Sequence, residues 1–325
     1  MAIRLTTYHP GNDIPELPGC RVEHSNELFH VYEQTKGYTP LLIVAYDGER
    51  PVAKLLSVVR KSVRLFPPSI IKRCEIYGDG EYFEGADKEM LFGEMLEYLT
   101  HEVLQKSFLI EFRNLESPLF GYKHFRANHY FPVNWLRVYN SLHDTTPDER
   151  IEPSRRRQIN RAVKHGATTR KIETEEELEA FLKMLKNAYS SKIRKHFPDI
   201  NFFRELAKQY PDKEIARIFV TLYKGKVIGG AFCIYSGGDA YLWFSGGMRK
   251  TYPWLYPGAM AIWEALNDAH REGYRHFEFM DAGLPFEKFG YRDFILGFGG
   301  KQVSTRRWFR FRWGWLNRIA SLLYR

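Results

Sequence analysis

The chain lacks the residues and patterns that mark disulfide-rich and metal-binding proteins. Its 325 residues contain three cysteines, Cys20, Cys74 and Cys233, and no two of them lie within four positions of each other. This spacing excludes a CxxC motif and favours a reducing compartment over a disulfide framework. The eleven histidines form no HExxH or His-x-His cluster, so we predict no metal site.

Long apolar runs are also missing. No stretch approaches the length of a membrane span, and the first residues do not form an apolar signal segment, so we expect the cytoplasm as the location, with contact at a membrane periphery left open. Hydrophobic residues make up 44% of the chain and charged residues 27%, which is typical of a globular protein with one large core or two ordinary ones. The net charge of +9 makes a polyanion or an anionic membrane surface a reasonable partner but does not choose between them.

The order of predicted elements repeats along the chain. In the first half we predict strands at 41–46, 52–60 and 70–77, a helix at 87–105 and a strand at 108–112; in the second half, strands at 218–223, 227–235 and 240–244, a helix at 257–271 and a strand at 276–280. Short matches accompany the order: Tyr46-Asp-Gly48 matches Tyr223-Lys-Gly225, and Glu111-Phe-Arg-Asn114 matches Glu278-Phe-Met-Asp281. A repeated supersecondary unit indicates duplication.

Helix signals lie between the two halves. Thr146 and Thr174 each open a capping box, and Ser154 is predicted to cap a helix that ends at Gly166. We place the domain boundary near Asp144–Pro153. The predicted ranges are 1–145 for an N-terminal unit, 146–303 for a C-terminal unit with the donor site, and 304–325 for a basic aromatic tail.

A loop before the second long helix has the features of a donor site. A helix N-terminus binds anions such as the pyrophosphate of coenzyme A through unpaired N–H groups and the helix dipole. The small residues Gly258 and Ala259 leave room at the helix start, and Arg249 supplies charge nearby. The alternative is a plain strand-to-helix turn. The residues that we assign to the donor are Arg249, Tyr256, Gly258, Ala259 and Met260.

Four segments carry a family resemblance. They are the arginine-rich helix 155–166, its lead-in 133–139, the strand and turn 273–283, and the closing segment 294–300. They resemble the FemAB-like proteins, which consist of tandem GNAT-like domains. The resemblance implies an α/β fold with two GNAT-like units, each a mixed, mainly antiparallel sheet flanked by helices.

The resemblance also implies an activity. Family members move an amino acid from aminoacyl-tRNA to an amine of a peptidoglycan precursor, and broader relatives are N-acyltransferases. We therefore expect acyl or aminoacyl transfer to an amine of a cell-envelope precursor or amino sugar. The donor would be acyl-CoA or aminoacyl-tRNA, with no tightly bound cofactor. Two alternatives remain: an inactive relative that binds a muropeptide or sugar nucleotide, and a basic RNA- or membrane-binding protein. The family's closing motif has Lys where this chain has Ile295, which favours the inactive relative; Lys288 or Lys301 could replace it.

Six side chains are candidates for catalysis and acceptor binding. Glu278 and Asp281, near the end of a predicted strand, are candidates to accept a proton from the attacking amine. Asp281 could instead cap the turn before Gly283. The acceptor-binding candidates are Arg157, Arg161, Lys164 and Trp254; a solvated basic helix face and aromatic packing are the alternatives.

The C-terminal residues 306–325 first alternate Arg with aromatic residues, which predicts a strand, and then place Leu316, Ile319, Leu322 and Leu323 on one helical face. Trp and Arg together suit a membrane–water interface. RNA binding and packing on the protein's own body are the other interpretations.

Overall fold

The chain folds into two compact units, seen in a computed structural model that describes residues 3–61, 72–115, 117–189, 197–209 and 215–324. Unit 1 contains the residues up to Trp135, the segment Asn201–Gln209 and the residues from Ser304 onwards. Unit 2 contains Leu136–Ile200 and the later stretch that ends at Val303. The range 304–325, which we predicted as a separate tail, is thus part of unit 1.

Unit 1 is a mixed sheet with one long helix on its apolar face. Its elements are β1 Ile3–Tyr8, a 3₁₀ turn Val22–His24, α1 Asn26–Gln34, β2 Tyr38–Asp47, β3 Arg50–Lys61, β4 Lys72–Tyr77, β5 Glu81–Tyr82, α2 Lys88–Leu104, β6 Leu109–Arg113, α3 Tyr122–Ala127, α7 Ile200–Gln209, β13 Lys301–Phe311 and α10 Gly314–Leu323. The strands follow the order β1-β2-β3-β4-β6-β13, with β5 beside β3. The predicted helix at 87–105 is present as α2, and its apolar residues are buried in the same core as Trp308.

The C-terminal strand completes unit 1. Arg307–Phe311 pair antiparallel with Leu109–Arg113, so the alternation of Arg and aromatic residues does form a strand. The fully buried Trp308 contributes to the core on one side of this sheet, while Arg307 points to the other side. The two-residue alternation in the sequence predicted the strand. Its partner strand lies almost 200 residues earlier in the chain, since the hydrogen-bonded residues Arg307 and Glu111 are 196 positions apart.

Unit 2 repeats the architecture around its own core. Its elements are β7 Phe131–Ser141, which begins in unit 1, α4 Pro147–Arg150, α5 Pro153–Lys164, β8 Thr168–Lys171, α6 Glu175–Ala188, β9 Ala216–Tyr223, β10 Lys226–Ser236, β11 Asp239–Gly247, α8 Pro257–Arg271, β12 His276–Phe279 and α9 Gly290–Leu296. Its strands follow the order β7-β12-β11-β10-β9-β8. Of the neighbouring strands in this order, β11 and β12 pair in parallel, and the other described pairs are antiparallel.

The predicted repeat and fold class are confirmed. In each unit a hairpin turns at the matched glycine, Gly48 or Gly225, both with positive φ. In each unit the strand that carries the matched Glu, β6 or β12, pairs in parallel with the third strand of the repeat. The capping box at Thr146 is present, and the Thr174 side chain accepts the Glu177 amide.

One helix start was predicted wrongly. Helix α5 begins at Pro153, with Glu152 rather than Ser154 as its N-cap, and it ends at Lys164. Pro at the first helical position fixes φ and has no amide that needs an acceptor, so it starts the helix without a side-chain cap. Among the described helices, none combines the length and apolarity that a bilayer crossing requires.

Candidate active site

Strands β11 and β12 separate part-way along their length. Their parallel pairing covers Ala240–Leu242 and Phe277–Phe279 only, although β11 continues to Gly247. The separation begins at a β-bulge: Cys233 lies opposite Leu242 and the next residue Phe232 lies opposite Phe244, which leaves Trp243 as an extra residue. A bulge bends and twists its strand, so β11 changes direction at the point where its pairing with β12 ends.

The equivalent strands of unit 1 stay together. There β4 and β6 pair continuously from Arg73–Leu109 to Tyr77–Arg113. The β11–β12 opening, as we call the gap past Leu242 and Phe279, is therefore a feature of unit 2.

The start of α8 is packed directly against the end of β11. A Cβ atom on Gly247 would lie 2.5 Å from the Gly258 amide nitrogen, and one on Gly229 would lie 2.5 Å from the Pro257 carbonyl carbon. Only glycine at 229 and 247 permits this approach. Tyr256, the N-cap, has φ 42° and ψ 49°, a left-handed conformation that costs a non-glycine residue about 1 kcal/mol.

The first turn of α8 offers fewer free amides than the donor-site prediction assumed. The amides of Ala259 and Met260 both donate to the Tyr256 carbonyl, at 2.9 and 3.0 Å, and their side chains are buried. Pro257 has no amide hydrogen. This leaves Gly258, half-buried and with no hydrogen bond recorded among the described residues, as the first-turn amide that can face an anion. Arg249 is exposed two residues after β11.

Three hydroxyl groups gather where the strands separate. The phenol of Tyr189 donates to the Ser245 carbonyl at 2.7 Å. The phenol of Tyr291, at the start of α9, is hydrogen-bonded to the Ser245 side chain, and burial, followed by the neighbouring Tyr189, raises the pKa of Tyr291. Sequence reasoning missed all three residues. The only local signal was a tyrosine at the start of a short helix after β12, which does not distinguish a site residue from a packing residue.

Asp281 has the turn-capping contact that we weighed against catalysis. Its Oδ1 accepts the Gly283 amide at 3.1 Å, and the residue is exposed. The following loop is held by Arg292, whose guanidinium donates to the carbonyls of Leu284 at 2.8 Å and of Glu287. Asp281 also contributes to the raised pKa of Tyr291, so it lies close to the hydroxyl cluster.

Glu278 has the environment of a titrating base. It is 6% exposed, and its Oε1 accepts a hydrogen bond from Arg137 Nη1 at 3.0 Å. Burial raises the pKa of Glu278 to about 7, although the Arg137 guanidinium favours the ionised form. Its alternation with Phe277 and Phe279 in the sequence allowed it to face either the cleft or solvent, and in the structure it is buried beside Arg137.

The matched glutamate of unit 1 has a different environment. Glu111 is fully buried and forms ion pairs with three arginines, Arg73, Arg113 and Arg307. Three guanidinium groups around one buried carboxylate form a structural ion-pair cluster. Glu278 has a single arginine partner among its recorded ion pairs, which leaves it free to exchange a proton near neutrality.

Arg155 is a further residue that sequence reasoning missed. It is 9% exposed, donates from Nη2 to the Phe294 carbonyl at 2.7 Å, and lies over the rings of Phe294 and Phe298 at 4.4 and 4.9 Å. Burial lowers the pKa of Arg155, and the nearby Arg249 lowers it further. This guanidinium ties α5 to α9 and to the segment that follows it. The arginine-rich pattern of 155–157 gave no sign of which arginine is buried.

The basic face of α5 is exposed, as both interpretations of it require. The guanidinium of Arg161 lies 5.5 Å from the centroid of the Trp254 ring, and Trp254 is 62% exposed. Arg157 and Lys164 are exposed on the same helix. The structure therefore brings Arg161 and Trp254 together beside the start of α8. Arg157 and Lys164, on α5, have no recorded side-chain partner among the described residues.

The closing motif contributes packing rather than charge. Ile295 is fully buried in the unit 2 core, at the position where the FemAB-like pattern has Lys. Lys288 and Lys301 are both exposed. Within the described residues, no group of three or more His, Cys, Asp or Glu side chains is arranged to hold a metal ion.

Comparison with known proteins identifies the class. Residues 153–288 match the profile of an acetyltransferase (GNAT) domain. This range contains the opening, α8 and both candidate carboxylates. Residues 153–288 therefore form a GNAT acyltransferase domain, and the chain as a whole has the tandem GNAT fold that it shares with the solved structures below.

Several solved structures share this fold. The structure of FemX superposes with a TM-score of 0.63 at 13% identity, over 97% of this chain and 95% of that one. A tandem GNAT protein from the clavulanic acid biosynthesis pathway gives a TM-score of 0.58 at 10% identity, over 96% and 99% of the two chains. L-PGS from Bacillus licheniformis gives 0.54 at 14% identity, over 82% and 86%. A search of curated protein sequences found no match.

Proposed function

We propose that this acyltransferase moves an acyl or aminoacyl group to an amine of a cell-envelope precursor or amino sugar, and that the reaction takes place in the β11–β12 opening. The observation that carries the proposal is the opening itself: a bulge at Trp243 separates the strands just before the tight junction between β11 and α8. The donor carbonyl would lie between the separated strands. The resemblance to FemAB-like proteins supports the acceptor class, and the cytoplasm as the location follows from the donors proposed.

The donor is a substrate that enters from the α8 side. Its phosphates would meet the Gly258 amide, the positive end of the helix dipole and Arg249. Acyl-CoA is the donor that fits this arrangement. Because only one first-turn amide is free, we expect weaker phosphate binding than a helix start with three free amides would give, and an aminoacyl-tRNA donor remains the alternative.

The chemistry needs two proton transfers. The acceptor amine attacks the donor carbonyl carbon and forms the new C–N bond, and the C–S bond of a thioester (or the C–O bond of an aminoacyl ester) breaks. Glu278, ionised above pH 7, takes the proton that the amine loses. The Tyr291 phenol, which its raised pKa keeps protonated, donates a proton to the leaving thiolate or hydroxyl. Asp281 orients the turn beside Tyr291.

The acceptor would bind beside α5. Arg157, Arg161 and Lys164 present three positive charges to a phosphate or carboxylate, and Trp254 offers an exposed ring to a sugar. An acceptor on a lipid carrier would also agree with peripheral membrane contact through residues 304–325.

A donor test separates the enzyme from a binding protein. Purified protein is melted with acetyl-CoA, alanyl-tRNA or a nucleotide-linked muropeptide, since a ligand of the folded state raises the melting temperature. A donor that raises it should also be consumed when an amine acceptor is added. In a Tyr291→Phe variant we expect the rate to fall about 10²-fold or more, with unchanged donor binding, while Tyr98→Phe, an exposed tyrosine of unit 1, serves as the control.

The second candidate function is an inactive relative that binds the acceptor alone. The buried Ile295 favours it, because the position that carries a lysine in the family pattern is here part of the core. A muropeptide that stabilises the protein while neither donor does would establish this candidate and exclude the enzyme.

A further inference from the structure

Helix α10 packs on unit 1 through its polar side. Asn317 and Ala320 are its buried residues. The Asn317 amide donates to the His129 carbonyl at 2.7 Å, and its oxygen accepts the Phe311 amide at 3.1 Å. These two hydrogen bonds fix the helix to the end of β13 and to the turn at His129.

The apolar side of α10 faces outward. Trp315, Ile319, Leu322 and Leu323 are 62%, 49%, 66% and 76% exposed, and their spacing of four, three and one residues places them in one stripe. Trp313, 47% exposed, stacks on Trp315 with 6.3 Å between ring centroids. An amphipathic helix of a globular protein normally buries such a stripe. Here the helix is turned the other way round, so the stripe is available to a partner.

Positive charge surrounds the stripe. Residues 306–325 contain six arginines and no aspartate or glutamate. Two of them, Arg310 and Arg312, line an open cavity of about 520 Å³ together with His101 and His129, and Glu97 is the one carboxylate among its lining residues. Arg310 Nε is buried and has no hydrogen-bond partner in the described structure. The cavity adjoins α10, because His129 is bonded to Asn317.

We propose that α10 and this cavity form a docking surface for a bilayer that contains anionic phospholipid. The apolar stripe enters the interface between headgroups and acyl chains, and the cavity receives a lipid phosphate. Trp and Arg are the residues that favour this depth of a membrane. Three of the exposed residues are aliphatic and offer nothing to stacking on nucleobases, so the stripe fits lipid better than RNA.

The proposal makes no use of the acyl-transfer chemistry. It assigns a surface of unit 1, whereas the reaction was assigned to unit 2. A variant of this surface should therefore keep its rate with soluble donor and acceptor, and failure of the docking proposal is distinguishable from failure of the proposed function.

The test is co-sedimentation with vesicles. We expect the full-length protein to bind vesicles of phosphatidylglycerol and phosphatidylcholine at least tenfold more tightly than vesicles of phosphatidylcholine alone, with weaker binding at high salt. A Trp315→Gln, Leu322→Gln, Leu323→Gln variant should lose at least tenfold in affinity, because each side chain it removes is exposed. Phe286→Gln, which replaces a 95% exposed apolar residue of unit 2, is the matched control and should bind normally.

A second variant tests the cavity. Arg312→Gln should weaken binding to the anionic vesicles about fivefold. Free inorganic phosphate at millimolar concentration should not release the protein from the vesicles, because both the stripe and the cavity hold the lipid. Full release would mean that a soluble phosphate is the ligand, and it would overturn the lipid assignment. Equal affinity for the two vesicle types, or unchanged binding by the triple variant with an unchanged melting temperature, would overturn the proposal. Binding of poly(U) by the wild type without vesicle binding would assign the surface to RNA instead.

Discussion

Replacement of Glu278 by Gln should change the pH dependence of stability in a predictable direction. The carboxyl has a pKa of about 7 in the folded protein against an ordinary value of 4.5. Because the folded-state pKa is the higher one, the folded protein holds this proton more tightly than the unfolded chain. The stabilisation is therefore fully present below pH 4.5 and is lost as the pH rises through about 7.

The size of the effect follows from the two pKa values. The full shift corresponds to about 3 kcal/mol, and the part that falls between pH 5 and pH 8 is about 2.5 kcal/mol. Gln does not titrate, so the difference between the two proteins reports the titration of this carboxyl. We therefore expect the free energy of unfolding of the wild type to fall by this amount relative to Glu278→Gln across that interval.

Urea unfolding at pH 5 and pH 8 measures the difference. Glu94→Gln, an exposed glutamate on α2, is the control and should follow the wild type at both pH values. A difference between wild type and Glu278→Gln that stays constant within about 0.5 kcal/mol would refute the raised pKa.

The same variant tests the catalytic assignment separately. We expect kcat/KM of the wild type to rise with pH through about 7, and the variant to lose this rise together with a factor of about 10²–10⁴ in rate. A normal pH–rate profile in the variant would leave Glu278 as a buried structural carboxylate and remove it from the mechanism.

Three further predictions concern the supports of the site. Gly247→Ala should destabilise the protein by about 2 kcal/mol and weaken donor binding, because the new Cβ would collide with the start of α8. Gly258→Ala should change the free energy of unfolding by less than about 1 kcal/mol, because the nearest atom to its new Cβ would be 3.4 Å away. Equal melting temperatures for the two variants would contradict the close packing at Gly247. Arg155→Met should cost about 3 kcal/mol through lost hydrogen bonds and ring contacts, measured by urea unfolding, and Arg155→Lys should not restore them. Arg161→Gln should raise KM for an anionic acceptor several-fold without changing kcat, and an unchanged KM would exclude the basic face from acceptor binding.

Local patterns predicted most of the elements. The helix at Pro257–Arg271 and the buried stripe of α2 follow from apolar spacing, and the hairpin turn at Gly225 follows from turn chemistry. These signals act over a few residues, so they can be read without the fold. The helix that begins at Pro153 was placed two residues late because Ser154 is also a good cap, and local sequence does not rank the two.

The candidate site was only partly predictable. Glu278 was found because it lies near the end of a predicted strand, but its burial beside Arg137 depends on a strand more than a hundred residues earlier. Ser245, Tyr189 and Tyr291 were missed because they come from three separate elements that meet only where β11 leaves β12.

The sequence by itself determined the repeated strands and long helices of the two units, the duplication and the arginine-rich helix, because periodicity, caps and turns are local properties. Tertiary structure decided which of these features can act. The bulge at Trp243 shows only in the register of β10 and β11, and it opens unit 2 while unit 1 stays closed. Long-range pairing likewise made β13 a strand of unit 1 and left the apolar stripe of α10 outside. Strand pairing, burial and exposure of a helix face depend on contacts between residues that are far apart in the sequence. No single segment of the sequence contains that information.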